Sequence, residues 1–369
     1  MPGRPDASAA QCLDTGMPTD IGALRIGFIG YGRHARANLY PSIGLAGARV
    51  VSVSTRNQAV ADAAARELGA ERGHGDYRRM LQSDALDAVF VSVGPEDHVA
   101  IAIDCLRAGL AVFVEKPLGM SAADARTVAE AASIAKRPVM VAFMKRFAPA
   151  YRTLQRVMAD EASFGRVMSF DGRFAFAPWT DTLDDEGYLK LAAIHIVDLL
   201  RALFGEVADV RGFRNSRGAD IAMSVALQFE SGVVGSMSFA SAPSWGREHE
   251  ELTVTGRNGF AKAENLQRVV YHYDRPLSAG SPRWQTLDEE TTTIEAVSSP
   301  ISGGSRDLYL RGFVGEVEHF LRCVVTGSEP ASSASDNVAT MALCDRILDA
   351  IGAIGAIGAI GAIGAIGAI

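Results

Sequence analysis

Short apolar runs alternate with stretches of helical spacing over residues 24–148. The first run, 24–29, is apolar at neighbouring positions, as is typical of a strand buried on both faces of a sheet. The predicted strands here are 24–29, 49–54, 85–93, 110–114 and 139–143, and the predicted helices are 35–46, 58–68, 76–82, 97–107 and 121–136. Strands that alternate with helices predict a doubly wound parallel sheet, so the fold class is α/β.

After residue 148 the pattern changes to strands that follow one another directly. The predicted strands are 166–176, 209–215, 221–229, 233–241, 251–255, 260–263 and 269–273, and the predicted helices are 148–160, 189–204, 310–326 and 336–350. Consecutive strands favour antiparallel pairing, which indicates a second, α+β domain with a large, mostly antiparallel open sheet. Residues 274–305 are rich in Pro, Gly, Ser and Thr and are predicted to be surface connections.

Both ends of the chain lack the pattern of a folded domain. Residues 1–23 contain neither an apolar signal-peptide core nor a twin-arginine motif, so they are predicted to be a disordered leader. Residues 351–369 repeat Ala-Ile-Gly, and each glycine disfavours a helix by about 1 kcal/mol relative to alanine. The repeat is nearly long enough to cross a bilayer but has no basic or aromatic anchors. A poorly ordered tail is therefore preferred over a membrane segment.

Composition narrows the class of ligand. The 369 residues are 48% hydrophobic and 21% charged, which is typical of a soluble globular protein. A net charge of −7 argues against a nucleic-acid-binding surface and favours a small-molecule ligand. The four cysteines form no C-x-x-C pair, which indicates a reducing, cytoplasmic location without disulfides, and no metal-ligand spacing stands out.

A glycine motif follows the first strand. Gly30, Gly32 and Ala35 have the spacing G-x-G-x-x-A, which allows a sharp turn, a close approach of a pyrophosphate, and tight packing of helix on strand. Phosphates bind readily at such a helix start because backbone N–H groups point outward there. A plain strand-to-helix turn is the alternative, but the strands on both sides favour a dinucleotide site that includes Tyr31, Arg33 and His34.

The second strand ends in a sequence that bears on the choice of cofactor. A site for NAD usually places Asp or Glu here to bind the ribose hydroxyls, whereas this chain has Ser54, Thr55 and Arg56. Hydroxyls and a guanidinium suit the additional 2′-phosphate of NADP. The prediction is NADP, with NAD possible and a solvated loop arginine as the alternative for Arg56.

With these pieces placed, the sequence resembles the Gfo/Idh/MocA oxidoreductases, the family of glucose-fructose oxidoreductase and inositol dehydrogenase. The motifs that carry the resemblance are the glycine turn, Pro95-Glu-Asp-His98, Glu115-Lys116-Pro117, Arg146-Phe-Ala-Pro-Ala-Tyr151 and His195-Ile-Val-Asp198. The resemblance implies an NAD(P)-binding Rossmann domain over 24–148 and a substrate and oligomerisation domain over 149–350, whose last helix can pack back on the first domain.

The family's catalytic residues match two positions. The family lysine beside the nicotinamide corresponds to Lys116, and an ammonium at that place can stabilise an alkoxide and exchange a proton. The family histidine that acts as general acid or base corresponds to His195. Many members carry Asp four residues earlier, where this chain has Leu191. Leucine can neither orient an imidazole nor accept a proton, so the usual triad is incomplete.

Several further residues are weaker candidates. Gly94, Pro95, His98 and Glu115 are expected near the cofactor, although His98 is equally able to serve as a helix cap. Lys145 and Arg146 are expected to contact the substrate or a cofactor phosphate. Trp179 is expected near the substrate, although it also fits a core position. Asp198 fits either a substrate contact or a bond within its own helix.

Together these observations predict an NADP(H)-dependent oxidoreductase that interconverts a secondary alcohol and a ketone on a sugar, cyclitol or sugar-derived metabolite, with keto-sugar reduction slightly favoured. A non-catalytic, nucleotide-binding regulatory protein of the same fold is the alternative that Leu191 supports. An oxidoreductase for a non-sugar ketone or diol is the second alternative. The open sheet predicts a homo-oligomer, without nucleic-acid or membrane partners.

Overall fold

The computed structural model describes residues 20–273, 291–296 and 303–366, with side chains as far as residue 352. The chain divides into two compact units. The first unit contains residues up to 119 together with 123–142 and 316–338, and the second contains 120–122, 143–315 and 339 onward. The chain therefore returns to the first unit after leaving it.

The first unit is built on a parallel sheet of six strands in the order β3-β2-β1-β4-β5-β6. The strands are β1 (Arg25–Ile29), β2 (Arg49–Ser54), β3 (Arg72–His74), β4 (Ala88–Val91), β5 (Ala111–Val114) and β6 (Val139–Val141). The chain order reverses direction beside β1, and ligands of such sheets bind at that point, beyond the carboxyl ends of the strands. The doubly wound α/β prediction is confirmed.

Helices join these strands. They are α1 (Tyr40–Leu45, preceded by a π-helical turn Ala35–Leu39), α2 (Gln58–Leu68), α3 (Tyr77–Ser83), α4 (Pro95–Arg107) and α5 (Ala122–Ala135). The core of the unit includes stacked rings on neighbouring strands, with Phe90 and Phe113 centred 4.7 Å apart. Phe320, from the returning segment, meets these two rings edge-on at 5.3 Å and 5.6 Å.

A buried carboxylate closes the edge of this sheet beside β3. Burial alone would raise the pKa of Asp84, but hydrogen bonds from Ser52, Arg72, His74 and Ser83 outweigh burial. The result is a pKa lowered from 3.8 to about 2.

The second unit is built on an eight-stranded sheet in the order β14-β13-β12-β11-β7-β10-β9-β8. The strands are β7 (Val167–Phe176), β8 (Val207–Arg214), β9 (Ile221–Phe229), β10 (Val234–Ser241), β11 (His249–Gly256), β12 (Gly259–Glu264), β13 (Arg268–Tyr273) and β14 (Thr291–Glu295). Among the strand pairs of this sheet that the structure describes, only that of β7 and β10 is parallel. The mostly antiparallel prediction is confirmed. Buried and exposed residues alternate along β9, so one face of the sheet is covered and the other is open.

The remaining helices are α6 (Pro149–Ala159, preceded by a 3₁₀ turn Met144–Phe147), α7 (Asp185–Tyr188), α8 (Ile194–Phe204), α9 (Gly303–Leu310), α10 (Phe313–Thr326) and α11 (Ala334–Ile366). A π-helical turn, Leu189–Ala193, links α7 to α8. The two compact units divide α10 and α11 between them.

Four details of the sequence prediction were wrong. The pattern missed β3, because Arg-Gly-His has no apolar run. The pattern predicted only surface connections at 274–305. In the structure, β14 forms an antiparallel pair with β13, and α9 begins at Gly303. The expected leader includes a short 3₁₀ turn at Ile21–Ala23, while residues 1–19 lie outside the described part. The repeat tail continues α11 to Ile366, because elongating an existing helix avoids the cost of nucleation.

Candidate functional site

A pocket of about 820 Å³ lies in the first unit. Its walls follow the carboxyl ends of four neighbouring parallel strands, β1 to β4, as ligand sites in such sheets do. The residues that line it are Ile29–His34, Ser54–Arg56, Val60, Gly75–Arg78, Ser92–Gly94, Glu96, Asp97, Ala100 and Ile101. Of the predicted cofactor residues, the pocket brings together Gly30, Tyr31, Gly32, Arg33, His34, Ser54, Thr55, Arg56 and Gly94. Pro95, His98, Glu115 and Lys116 are outside this lining.

The glycine turn has the geometry that the motif requires. Gly30 has a φ of +112°, and a Cβ there would overlap the carbonyl oxygen of Ser92. Only glycine tolerates this combination. A Cβ on Gly32 would meet no described atom within 4 Å, so Gly32 faces open space of the pocket. Ala35 is fully buried where the helix begins. The turn therefore leaves space for a phosphate group beside its backbone, and we call this space the glycine cradle. A side chain at residue 32 would narrow it.

The end of β2 presents one cation to the pocket. The Ser54 hydroxyl donates to the carbonyl oxygen of His74 at 3.0 Å, and the Thr55 hydroxyl donates to that of Asn57 at 2.9 Å. Arg56 is exposed and lines the pocket. Both hydroxyls thus support the local backbone, whereas the Arg56 guanidinium has the chemistry to bind a phosphate.

Sequence reasoning missed the wall that follows β3. Asp76 caps α3 by accepting a hydrogen bond from the Arg78 N–H at 3.0 Å. The Arg78 guanidinium lies 4.6 Å from the centre of the Tyr77 ring and 3.1 Å from a carboxylate oxygen of Asp104. The sequence does show Asp76 as a cap at the start of a helix. Because β3 was not predicted, this helix start could not be assigned to the edge of the sheet at which ligands bind.

A histidine of the glycine turn is bonded to the segment that carries Lys116. The Nε2 atom of His34 lies 2.8 Å from a carboxylate oxygen of Glu115. The Nδ1 atom of the same histidine lies 3.0 Å from the side-chain amide nitrogen of Asn38. Burial alone would raise the pKa of Glu115, but the hydrogen bond from His34 and the charges of His34, Lys116 and His98 lower it. Glu115 is therefore an ionised carboxylate beside the turn.

The predicted catalytic residues belong to different units. Lys116 is half-buried in the first unit and precedes a cis peptide bond to Pro117. The buried His98 ring, whose pKa is lowered by burial, has its Nδ1 atom 2.8 Å from the Pro117 carbonyl oxygen. His195 is half-buried in the second unit, where its ring meets Phe143 edge-on at 5.9 Å. The catalytic roles of Lys116 and His195 stay predictions.

Two cations predicted to contact substrate are engaged by carboxylates of the second unit. Lys145 is 1% exposed and is ion-paired to Glu250 and, at 3.1 Å, to Glu248. Burial would lower the pKa of Lys145, but these two charges raise it. The Arg146 guanidinium donates twice to the buried carboxylate of Asp198, each time at 2.6 Å. The predicted substrate contacts of Lys145 and Arg146 are not tested by this geometry.

Trp179 lies at the end of a stack of aromatic rings. Its ring is centred 5.4 Å from that of Phe176, which is in turn 5.0 Å from the buried Tyr188 ring. The Trp179 side chain is 53% exposed. One face of its ring is therefore open, while the other face packs on Phe176. Leu191 lies in the π-helical turn before α8, and such turns often occur at functional sites.

Metal sites and membrane-spanning helices are both absent from the described residues. No group of three or more His, Cys, Asp or Glu side chains among them is arranged to hold a metal ion. Within the same part of the chain, no helix has both the length and the apolar character needed to cross a membrane.

Comparisons with known proteins agree with this architecture. An inositol 2-dehydrogenase of Rhizobium meliloti is 27% identical over 341 residues, which are 89% of this chain and 97% of that protein. A D-apiose dehydrogenase of Paraburkholderia graminis is also 27% identical, over 89% of this chain and 87% of its own length. A solved structure of levoglucosan dehydrogenase with NADH and L-sorbose shares the fold at a TM-score of 0.75 and 19% identity, covering 89% of this chain and 96% of that one.

Family models match both halves of the chain. The model described as an oxidoreductase family with an NAD-binding Rossmann fold matches residues 24–143, which contain the pocket and the glycine turn. The model of the GFO/IDH/MocA C-terminal domain matches residues 151–262, which contain strands β7 to β11 of the open sheet. Because the two domains follow each other in the family's order and carry its motifs, this chain belongs to the Gfo/Idh/MocA family of oxidoreductases.

Proposed function

We propose that this protein is an NADP(H)-dependent oxidoreductase that interconverts a secondary alcohol and a ketone on a sugar, cyclitol or sugar-derived metabolite. The observation that carries the proposal is the pocket at the carboxyl edge of the first sheet, with its glycine cradle and with Arg56 on its wall. The dehydrogenases of inositol and of D-apiose, each similar over 89% of this chain, support the class of substrate.

A dinucleotide with a phosphate on its ribose would find partners at the glycine turn and at the end of β2. Backbone N–H groups at Gly32–Ala35 would hold the pyrophosphate, and Arg56 would hold the 2′-phosphate with two parallel hydrogen bonds. The nicotinamide supplies the chemistry by accepting or donating a hydride. NADPH commonly serves as a reductant in cells, so reduction of a keto-sugar is the favoured direction.

The protein's own part in the reaction is to stabilise charge and to move a proton. The Lys116 ammonium would stabilise negative charge on the reacting oxygen, which is a large contribution in a site shielded from water. His195 or Lys116 would deliver the proton to that oxygen in reduction and remove it in oxidation. Leu191 cannot assist His195, so the minimal machinery is Lys116 with His195.

The choice of cofactor is tested by titrating wild-type protein and Arg56→Ala with NADPH and NADH. We expect wild-type protein to bind NADPH more tightly, and Arg56→Ala to lose at least about tenfold of this affinity, because a charged hydrogen bond is worth about 1.5–3 kcal/mol. NADH binding should stay unchanged. Arg66→Ala, an exposed arginine on α2, is the matched control. Tighter binding of NADH that Arg56→Ala leaves unaffected would refute the preference.

Turnover separates an enzyme from the regulatory alternative, which Leu191 favours. A panel of keto-sugars and cyclitol ketones with NADPH is followed by the loss of nicotinamide absorbance, and the panel includes non-sugar ketones. We expect Lys116→Ala to abolish turnover while nucleotide affinity stays within about twofold. Binding without turnover on any member of the panel would favour the regulatory reading, and turnover on non-sugar ketones alone would favour the second alternative.

We further propose that the open face of the second sheet binds a second copy of this chain. Small side chains lie opposite one another across β9 and β10 on this face, as in the pairs Ala226 with Ser236 and Ser224 with Ser238. Small side chains at these positions allow the backbone of another sheet to approach closely. Light scattering should show a dimer or larger oligomer, and Ser224→Arg should reduce its mass. A wild-type monomer would contradict the proposal.

The expected cytoplasmic location is likewise a proposal. Cys105 and Cys344 are free, buried thiols in the described residues, which suits a reducing compartment. Fractionation of cells that express the full chain should recover it with cytoplasmic markers.

A further inference from the structure

One buried carboxyl group in the first unit has no function in the scheme above. Glu316 is 0% exposed, and neither of its carboxyl oxygens has a hydrogen-bond partner among the described residues. It lies on α10 among buried apolar neighbours, Val317 and Phe320. An apolar residue would be cheaper at such a position, since a buried polar group without a partner costs free energy. The carboxyl group therefore calls for an explanation.

The packing of α10 shows where this carboxyl group lies. Glu316 and Phe320 are four residues apart and share one face of the helix. The Phe320 ring is 5.6 Å from that of Phe113 on β5. The extended backbone continues to Glu115, whose N–H donates to the Val91 carbonyl oxygen. Phe113 and Glu115 are two residues apart and share one face of the sheet. Glu316 and Glu115 therefore lie on the two surfaces, one of α10 and one of the sheet, that pack against each other here.

The surroundings of this pair leave room for one negative charge. Burial first, and then the charge of Glu115, raise the pKa of Glu316 well above its usual range. The groups that face Glu115 are His34 from the glycine turn, His98 from α4, and Lys116 next to it in the chain. Of these, the His34 ring is bonded to Glu115, and the Lys116 backbone N–H also donates to that carboxylate, at 3.2 Å. Two neighbouring buried carboxyls cannot both be ionised without a large cost.

We propose that Glu316 is a positioning residue of the nucleotide site: as the neutral member of a carboxyl pair with Glu115, it keeps a single negative charge behind the glycine turn. The inference rests on the proposed nucleotide-binding function. Glu115 carries that charge and holds His34 at the pocket wall. Removing the proton from Glu316 would add a second charge behind the turn, which would repel the pyrophosphate of the ligand.

The proposal makes the affinity for nucleotide depend on pH in one direction. Above the pKa of Glu316 the second charge appears, so binding weakens as the pH rises. By linkage, binding in that range takes up a proton. Glu316 accepts this proton from solvent, and neither the cofactor nor the substrate has to change its protonation, so the effect is present in simple binding experiments without turnover.

The experiment measures the dissociation constant of NADPH from neutral to alkaline pH. For wild-type protein we expect the constant to rise by about tenfold, which is the change produced by one unit of pKa shift on binding. Glu316→Gln has nearly the same shape but no proton to lose, and its constant should stay level. Glu115→Gln removes the neighbouring charge, so the rise should begin at a lower pH. Glu130→Gln, an exposed residue on α5, is the control and should follow wild-type protein.

Infrared spectroscopy of nucleotide-free protein reads the same carboxyl group directly. We expect the C=O stretch of a buried protonated carboxyl near neutral pH, lost in Glu316→Gln and retained in Glu130→Gln. A pH dependence of binding that persists in Glu316→Gln, or an unchanged C=O band, would overturn the inference. If Glu316→Gln does not fold, infrared titration of wild-type protein against Glu115→Gln decides. Failure of wild-type protein to bind any nucleotide would instead refute the proposed function, and the infrared result would still stand on its own.

Discussion

Removing the carboxylate of Asp198 should strongly destabilise the second unit. Asp198 is 0% exposed, accepts two hydrogen bonds from Arg146 and accepts a third from the Thr340 hydroxyl at 3.1 Å. The Arg201 guanidinium also donates to Thr340, at 2.6 Å. Asp198→Ala leaves a mostly buried guanidinium without its carboxylate, and breaking a buried ion pair from one side costs about 3–5 kcal/mol.

Urea denaturation followed by tryptophan fluorescence measures this loss, since Trp179 and Trp245 both lie in the second unit. With a slope of about 1–3 kcal/mol per M of urea, the midpoint should fall by at least about 1 M. Arg152→Ala, an exposed arginine on α6, should change stability by no more than about 0.5 kcal/mol.

A double variant tests the reasoning further. Arg146→Met combined with Asp198→Leu removes both charges, and we expect it to be more stable than Asp198→Ala, because apolar pairs often replace buried ion pairs at little cost. A loss of less than about 1 kcal/mol in Asp198→Ala would refute the assignment of this pair to stability. If Arg146→Met lowered kcat/KM without lowering stability, Arg146 would belong to the substrate site, as its sequence motif suggested.

Three further predictions follow from geometry described above. Gly32→Ala should leave the fold intact and weaken nucleotide binding by about tenfold or more, whereas Gly30→Ala should also lower the melting temperature, because its φ of +112° strains any side chain. Asp84→Asn should be less stable than wild-type protein near neutral pH. Because the pKa of Asp84 is lowered in the folded protein, this residue stabilises the fold only when it is ionised. In an acid titration the difference in stability should therefore disappear as the pH falls from about 4 toward about 2. Trp179→Ala should raise the KM for a sugar substrate with little change in NADPH affinity. Trp179→Phe should retain most activity, because an aromatic ring would still be exposed at the end of the stack. Equal KM values for both variants and wild-type protein would contradict a substrate contact.

The parts of the fold that the sequence predicted well carry strong local signals. The apolar run before Gly30 predicts a strand buried on both faces, and the alternation along β9 predicts a strand buried on one face. Both strands lie where they were expected. β3 has only three residues and a central glycine, and its place is set by pairing with β2 rather than by its own pattern. The Arg146–Asp198 pair joins residues 52 positions apart, a separation at which the sequence alone cannot show contact.

The return of residues 316–338 to the first unit constrains how this protein is made. A ribosome has released the whole of the six-stranded sheet long before Phe320 is synthesised, yet Phe90 and Phe113 need that ring to complete their packing. In the nascent nucleotide domain these two phenylalanines are therefore incompletely covered until residues 316–338 have been synthesised. An excised fragment of residues 24–143 would be left in the same condition, and we expect it to aggregate unless the segment 316–338 is grafted back.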